Sequence, residues 1–289
     1  EKYAIIETNQ GRDFYQKQKL VKFNRIWFFR DCFSNLDFKP DLQYLQKFEE
    51  KYNINLWQIV YSDITFNQYN AYYSFSNDEI LRILEIQCKF FEKVLDEINP
   101  DYFIIKVTDM SYMVILQKIC QAKNIKVLTL GFTRLGIRSN ISQEYDTIEL
   151  ANKKIEKKEL ESFEDIKKYV SEYSKQQGKF RAKFRSSKLK WAISGLKYLK
   201  TISNKKNKKY YITYGHTFHK TIIKEIAFVI KKQIRYFFIN RNLLKYIQLN
   251  GPFVYFPLQL EPERTILIPA PFYTNQQEVI TNIAKSLPI

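Results

Sequence analysis

The sequence predicts an α/β fold: a doubly wound parallel sheet, then a basic helical insertion, then the opening of a second sheet domain. Three observations predict it. A strand–helix–strand run occupies residues 101–132. The composition turns Lys-rich and helix-periodic from about residue 147. A second strand–loop–helix run begins after Gly251-Pro252.

Residues 1–75 are mixed and rich in Tyr, Phe and Asn, with short apolar runs at 3–6 and 26–29. A helix is predicted over about 41–51, and the stretch 53–60 leads into a polar loop around Asp63. Ser76 is followed three residues later by Glu79, a capping box in which each side chain satisfies a backbone donor of the other residue. Ile80, Ile83, Leu84, Phe91, Leu95 and Ile98 then recur at helical spacing, and Asn99-Pro100 stops the helix. Asp101-Tyr-Phe-Ile-Ile-Lys-Val reads as a short buried strand. Thr108-Asp109 opens a helix to about Ala122, and Lys126-Val-Leu-Thr-Leu-Gly-Phe is the second strand. This is a βαβ crossover, which joins parallel strands.

From 147 to 250 strands become rare, and residues 217–246 read as one long basic amphipathic helix with Ile222, Ile226, Val229, Ile230, Ile234 and Phe237 on one face. Phe253-Val-Tyr-Phe is then expected to be a new buried strand. A loop punctuated by Pro257, Pro262, Pro269 and Pro271 leads to a helix over about 274–286. The segments are therefore 1–146, a first sheet domain; 147–250, a basic helical insertion; and 251–289, the start of a second sheet domain. Its partner strand is absent and the chain has no initiator Met, so the sequence reads as a fragment of a longer protein.

Composition narrows the classes. Of 289 residues, 45% are hydrophobic and 16% aromatic, enough to bury a core. No signal-peptide pattern opens the chain, and no run approaches the roughly 18 apolar residues of a membrane span. The expectation is a cytoplasmic protein, soluble or peripheral at the inner face of the cell membrane. Cys32, Cys88 and Cys120 are odd in number, far apart and set among apolar neighbours, as buried free thiols in a reducing compartment are. The net charge of +17 is unevenly placed. Residues 173–250 hold 20 Lys and Arg against one acid, Glu225, while the remaining 27 basic and 29 acidic residues nearly balance. Such a segment has three readings: a solvated face, a surface for anionic lipid, or a nucleic-acid surface, the last disfavoured because aromatics are frequent throughout the chain.

In open parallel sheets ligands bind beyond the carboxyl ends of the strands. That rule selects Thr108 and Asp109 after one strand, Thr133 and Arg134 after the next, and the loop after Phe256. Arg134 and Arg138 lie in a Gly-flanked loop where a guanidinium can fork onto phosphate or carboxylate. In the Pro257 loop, Gln259, Glu261, Glu263 and Arg264 follow one another closely. A carboxylate there can orient sugar hydroxyls or act as a general base. The plainer readings are a helix cap for Asp109, a surface arginine for Arg134 and a solvated interdomain loop for 257–265. His216 and His219, the only histidines, stand at i, i+3 on one helix face without a third ligand nearby, so no metal is expected. No Gly-rich phosphate loop, nucleophile elbow or Cys/His pair is present.

The run Phe253-Val-Tyr-Phe-Pro-Leu-Gln-Leu-Glu-Pro-Glu-Arg-Thr, with Pro271-Phe-Tyr-Thr-Asn-Gln and Ala284-Lys-Ser-Leu-Pro, resembles the hinge of capsule and surface polysaccharide biosynthesis glycosyltransferases. Asn55-Leu-Trp, the Asp63 loop, Glu79-Ile, Phe90-Phe91, the entry to the strand at Pro100-Asp and the Thr133-Arg134 loop resemble the acceptor-side domain of that family. Pro262 and Glu263 match the family pattern, whereas Gln259 replaces a common His and Glu261 a common Gln. The resemblance covers roughly 50–146 and 250–289.

It implies a GT-B architecture of two Rossmann-like domains and a glycosyltransferase that moves a sugar from a nucleotide-sugar donor to a glycan or lipid-linked acceptor. It implies no resident cofactor. Glu263 and Glu261 would be the catalytic candidates. Asp63, Thr108, Asp109, Thr133, Arg134, Arg138, Gln259 and Arg264 would bind substrate. The donor-side half is missing, so this fragment is expected to be inactive alone. The alternatives are a sugar-nucleotide epimerase of the same architecture and a non-enzymatic module that binds anionic membrane or nucleic acid through residues 173–250.

Overall fold

The computed structural model describes residues 1–7, 9–66, 70, 72–106, 110–132, 139–143, 162–184, 187–202, 210–243, 253–259 and 271–287. The fold is mixed α/β with two small sheets. By contact the chain forms two compact units that interleave along the sequence. The first is Glu1–Phe38, Trp57–Ile80 and Leu196–Ile289; the second is Lys39–Leu56 and Leu81–Gly195. The sequence reading divided the chain by composition into consecutive segments; contact divides it by what each part packs against.

In the first unit, β1 (Tyr3–Ile6) and β2 (Arg25–Phe28) pair in parallel, from Tyr3 opposite Arg25 to Ile6 opposite Phe28, and α1 (Asn9–Lys17) connects them. A 3₁₀ helix over Phe29–Ser34 then turns Phe29 and Phe33 inward. Phe33 meets the rings of Tyr210 and Tyr211 at 5.5 and 5.1 Å, and Phe66 stacks on Tyr211 at 5.6 Å. Buried tyrosines need a partner for the hydroxyl; that of Tyr210 donates to Glu7 at 3.2 Å, while the Arg30 guanidinium lies over its ring at 4.4 Å. The Cys32 thiol donates to the Phe29 carbonyl at 2.7 Å.

The sequence reading had no helix at α3 (Leu56–Tyr61), whose residues from Trp57 belong to this unit and bring Ile59 and Val60 inside. The long helix α8 (Phe218–Asn242) starts at Thr217, whose hydroxyl accepts from Lys220 N at 3.3 Å. The last helix, α9 (Gln276–Ser286), is capped by Asn275, whose side chain accepts from Glu278 N at 3.2 Å. The strand expected at Phe253-Val-Tyr-Phe does not form. Those residues are irregular, and Phe253, Val254 and Tyr255 are exposed. A strand needs a neighbour for its N–H and C=O groups, and none pairs with it among the described residues.

The second unit holds α2 (Leu42–Tyr52), begun by Asp41, whose carboxylate accepts from Tyr44 N at 3.0 Å, and ended by Asn53 in the left-handed region at φ 48°. Most of α4 (Asn77–Ile98) lies here, while its first turn belongs to the first unit. The capping box forms as expected, with Ser76 N donating to Glu79 at 2.8 Å and Glu79 N to Ser76 Oγ at 3.3 Å. Leu84, Cys88, Phe91 and Leu95 repeat every three or four residues along α4 and are buried, as is Ile83 next to the first of them. Beside them Glu92 accepts from Tyr44 at 2.7 Å, Tyr52 at 2.8 Å and Lys51 at 2.7 Å. Burial pushes the Glu92 carboxyl up, but the three donors outweigh it and hold it below the ordinary carboxylate value.

The predicted crossover is present as β3 (Tyr102–Lys106), α5 (Ser111–Ala122) and β4 (Lys126–Phe132), the strands parallel with Lys106 opposite Leu130. β5 (Ser139–Ser142) adds antiparallel to β4, so the sheet is mixed. β3 was expected to be a buried strand, but only one of its faces is covered. Strand side chains alternate between faces. Ile105, Val127 and Thr129 are buried on one face, whereas Tyr102, Ile104, Leu130 and Ile141 are exposed on the other. The Cys88 and Cys120 thiols are free and fully buried. Burial pushes Cys120 up to about 12 and raises Cys88 as well; Cys32, in the first unit, is likewise pushed up to about 12. α6 (Phe163–Phe184) belongs to the second unit, and α7 (Lys188–Ile202) passes from the second into the first. Among the described residues no helix is long and apolar enough to cross a membrane.

Candidate functional site

Parallel pairing determines which residues share an edge. Because β3 and β4 run the same way in register, their carboxyl ends, Lys106 and Phe132, are at one edge of the sheet. Thr108 and Asp109 follow the first of these ends in sequence. Thr133, Arg134 and Arg138 fall in sequence between Phe132 and Ser139, which are paired where β4 and β5 run antiparallel. All five, together with Glu261, Glu263 and Arg264, lie outside the described residues.

Asp63 and Gln259 are described. Asp63 is buried, at 1% exposure, and its carboxylate accepts from Thr65 N at 2.8 Å, an Asx turn that fixes the chain after α3. Gln259 is exposed. Its backbone is held at both ends by the Gln276 amide, which accepts from Gln259 N at 2.6 Å and donates to Gln259 O at 2.9 Å. This tie fastens the irregular 253–259 segment to the start of α9.

Besides the Glu92 network, the structure assembles a cluster of ionisable and aromatic groups that the sequence reading did not. It belongs to the first unit and surrounds the N-terminus of α8. The Asn70 side chain accepts from Tyr72 N at 2.9 Å, shaping a turn that presents the Tyr72 ring. His216 stacks on that ring at 3.7 Å and 19°, and its Nδ1 pairs with the Tyr198 hydroxyl at 3.2 Å. The Lys224 ammonium sits over the Tyr72 ring at 4.6 Å, and Lys220 donates to the Tyr72 carbonyl.

Gly215 makes this approach possible. It stands at φ 72°, and a Cβ there would overlap the Tyr72 carbonyl. Burial first, then Lys220 and Lys224, hold the His216 imidazole below its ordinary value, so it is neutral near pH 7. Tyr72 is raised by burial and by Glu225, and Tyr198 by burial, then Tyr72 and Glu225. The sequence reading placed His216 and His219 together on one helix face. His216 instead precedes the Thr217 cap, because the chain turns at Gly215 before α8 begins. Tyr198, His216, Lys220 and the Tyr72 carbonyl find partners within the cluster, which makes it a clasp between the 72–76 loop and the start of α8. The sequence signal for it is Tyr-Gly-His immediately before a Thr cap.

Among the described residues no three His, Cys, Asp or Glu side chains come together as a metal site. No family model, no curated protein and no solved structure matches the chain.

Proposed function

We propose that the chain is the acceptor-side part of a two-domain, GT-B-type glycosyltransferase that acts on a nucleotide-sugar and a cell-surface glycan or lipid-linked acceptor. The observation that carries this reading is the β3–α5–β4 unit. Its parallel strands end together at Lys106 and Phe132, the kind of edge at which open α/β sheets bind ligands. The candidate residues Thr108, Asp109, Thr133, Arg134 and Arg138 follow those two ends in sequence. The resemblance of the 250–289 region and of the Asp63 and Thr133-Arg134 loops to polysaccharide-building transferases supplies the reaction class. In this reading Arg134 and Arg138 hold the anionic part of a substrate, Glu263 and Glu261 supply carboxylates at the hinge, and a donor-side domain completes the cleft. No metal or cofactor enters the proposed reaction.

The test is transfer from a panel of nucleotide-sugars by the complete protein, comparing wild type with Arg134→Ala and Glu263→Gln. Loss of turnover in both variants with unchanged thermal unfolding is expected. Wild-type turnover in both would sink the assignment. An epimerised nucleotide-sugar with no glycan product would move the reading to an epimerase.

A further inference from the structure

Helix α8 shows what the concentrated positive charge is attached to. It is 25 residues long, about 38 Å at the α-helical rise, and from Ile223 to Asn242 nearly every described side chain is exposed. Globular helices bury a stripe of apolar residues. Here Ile226, Val229, Ile230, Ile234 and Phe237, the face that periodicity assigns to a core, are 54–66% exposed. After Glu225 the helix has no acidic residue but carries Lys231, Lys232, Arg235 and Arg241. Lys220, Lys224, Lys231 and Arg235 recur at i, i+4, i+11 and i+15, which confines them to an arc of about 60°. That arc borders the aliphatic face. The first two are engaged with Tyr72 in the clasp, which holds the root of the helix, and the later ones make no ion pair among the described residues.

We propose that α8 is a docking surface for an anionic lipid bilayer, lying in the headgroup plane with its aliphatic face toward the acyl chains and its cations among the phosphates. Charge complementarity selects this occupant. An apolar face beside a basic one without acids is what an interfacial helix presents, and long Lys and Arg stems reach phosphates while their methylenes stay in the apolar layer. A nucleic-acid surface needs the cations and can stack bases on the exposed Phe228, Tyr236, Phe237 and Phe238, but it gains nothing from Ile226, Val229, Ile230 and Ile234, whereas a bilayer takes up the aromatic and the aliphatic side chains alike. A second copy of the same helix would bring like charges together. The inference is independent of the transferase reading, because it rests on α8 alone and its test involves no sugar.

The test is sedimentation of the complete protein with vesicles of phosphatidylcholine alone and with vesicles of equal parts phosphatidylcholine and phosphatidylglycerol. Binding to the anionic vesicles alone is expected, and it should weaken as salt rises. The charge-reversal variant Lys231→Glu/Lys232→Glu/Arg235→Glu should lose at least about a hundredfold in partitioning, since each basic residue near such a surface contributes about a fivefold factor. Ile226→Ser/Ile230→Ser/Ile234→Ser should also lose binding while keeping the wild-type circular dichroism spectrum, because these side chains are exposed. Equal binding to both vesicle types, no binding at low salt, or wild-type binding by either variant would overturn the proposal. So would tighter binding to an oligonucleotide than to anionic vesicles, or self-association that either variant abolishes.

Discussion

β1–α1–β2 and β3–α5–β4 share one topology, parallel strands joined by a helix, yet they are built from opposite materials. In the second, α5 buries eight residues, among them Ile115, Ile119 and Cys120. In the first, no described side chain of α1 is buried, Phe14 is exposed, and no residue of the four-residue strands β1 and β2 is fully buried. The first unit instead gathers rings contributed from outside its strands: Phe29, Phe33, Phe66, Tyr210 and Tyr211. Topology alone therefore does not say where stability resides. One unit is held by the layer between helix and sheet, the other by an aromatic cluster and by the clasp at Gly215.

Substitutions that remove one kind of support and not the other break or sharpen this contrast. Ile119→Ala, at a fully buried site in α5, should cost about 2–5 kcal/mol in chemical denaturation. Phe14→Ala in α1 should stay within about 0.5 kcal/mol. Equal costs would erase the contrast.

Gly215→Ala should cost about 1–3 kcal/mol for the backbone conformation alone, with the overlap on the Tyr72 carbonyl added. Its signature is specific: the fluorescence or NMR signals of the tyrosines around α8 should shift while those of Tyr44 and Tyr52 do not.

Glu92→Gln, which leaves Tyr44, Tyr52 and Lys51 donors facing an amide, should cost about 1–3 kcal/mol. Because the Glu92 pKa is lowered in the fold, its contribution is present above the ordinary carboxylate value and lost as pH falls through the folded one. The wild type should therefore lose stability on acidification below about pH 4.5, and the variant should lose less. Parallel pH curves for the two proteins would remove Glu92 from the account.

Ser76→Ala, which deletes half of the capping box, should cost about 1 kcal/mol. Thermal unfolding that matches wild type would show that the reciprocal Glu79 contacts suffice.

The parts legible in the sequence are those whose signal is local. α4 announced itself through Ser76, Glu79 and a helical apolar period, α2 was expected over about 41–51, and β3–α5–β4 showed as two apolar runs separated by one helix length. The runs at 3–6 and 26–29 stood out, but a four-residue strand shows too little alternation to be read as one, and the polar α1 between them gave no face. Phe253-Val-Tyr-Phe misled for the converse reason: its residues suit a strand, but pairing is a property of a neighbour. The Tyr72 clasp was illegible because its members are distant in sequence, Lys220 and Tyr72 being 148 positions apart. Of the candidate site, the strand ends were legible from periodicity; the arrangement of the residues beyond them falls outside the described chain.

The three thiols have a practical consequence. An alkylating reagent attacks thiolate, and burial that raises a thiol's pKa withholds both the charge and the access the reagent needs. Cys32 belongs to the first unit and Cys88 and Cys120 to the second. Labelling of Cys88 and Cys120 in the native protein would thus proceed only as fast as the second unit opens, whereas Cys32 is partly exposed and is restrained mainly by its raised pKa. Mass spectrometry that resolves Cys32 from the other two would separate the opening of the second unit from the direct reaction of an accessible thiol.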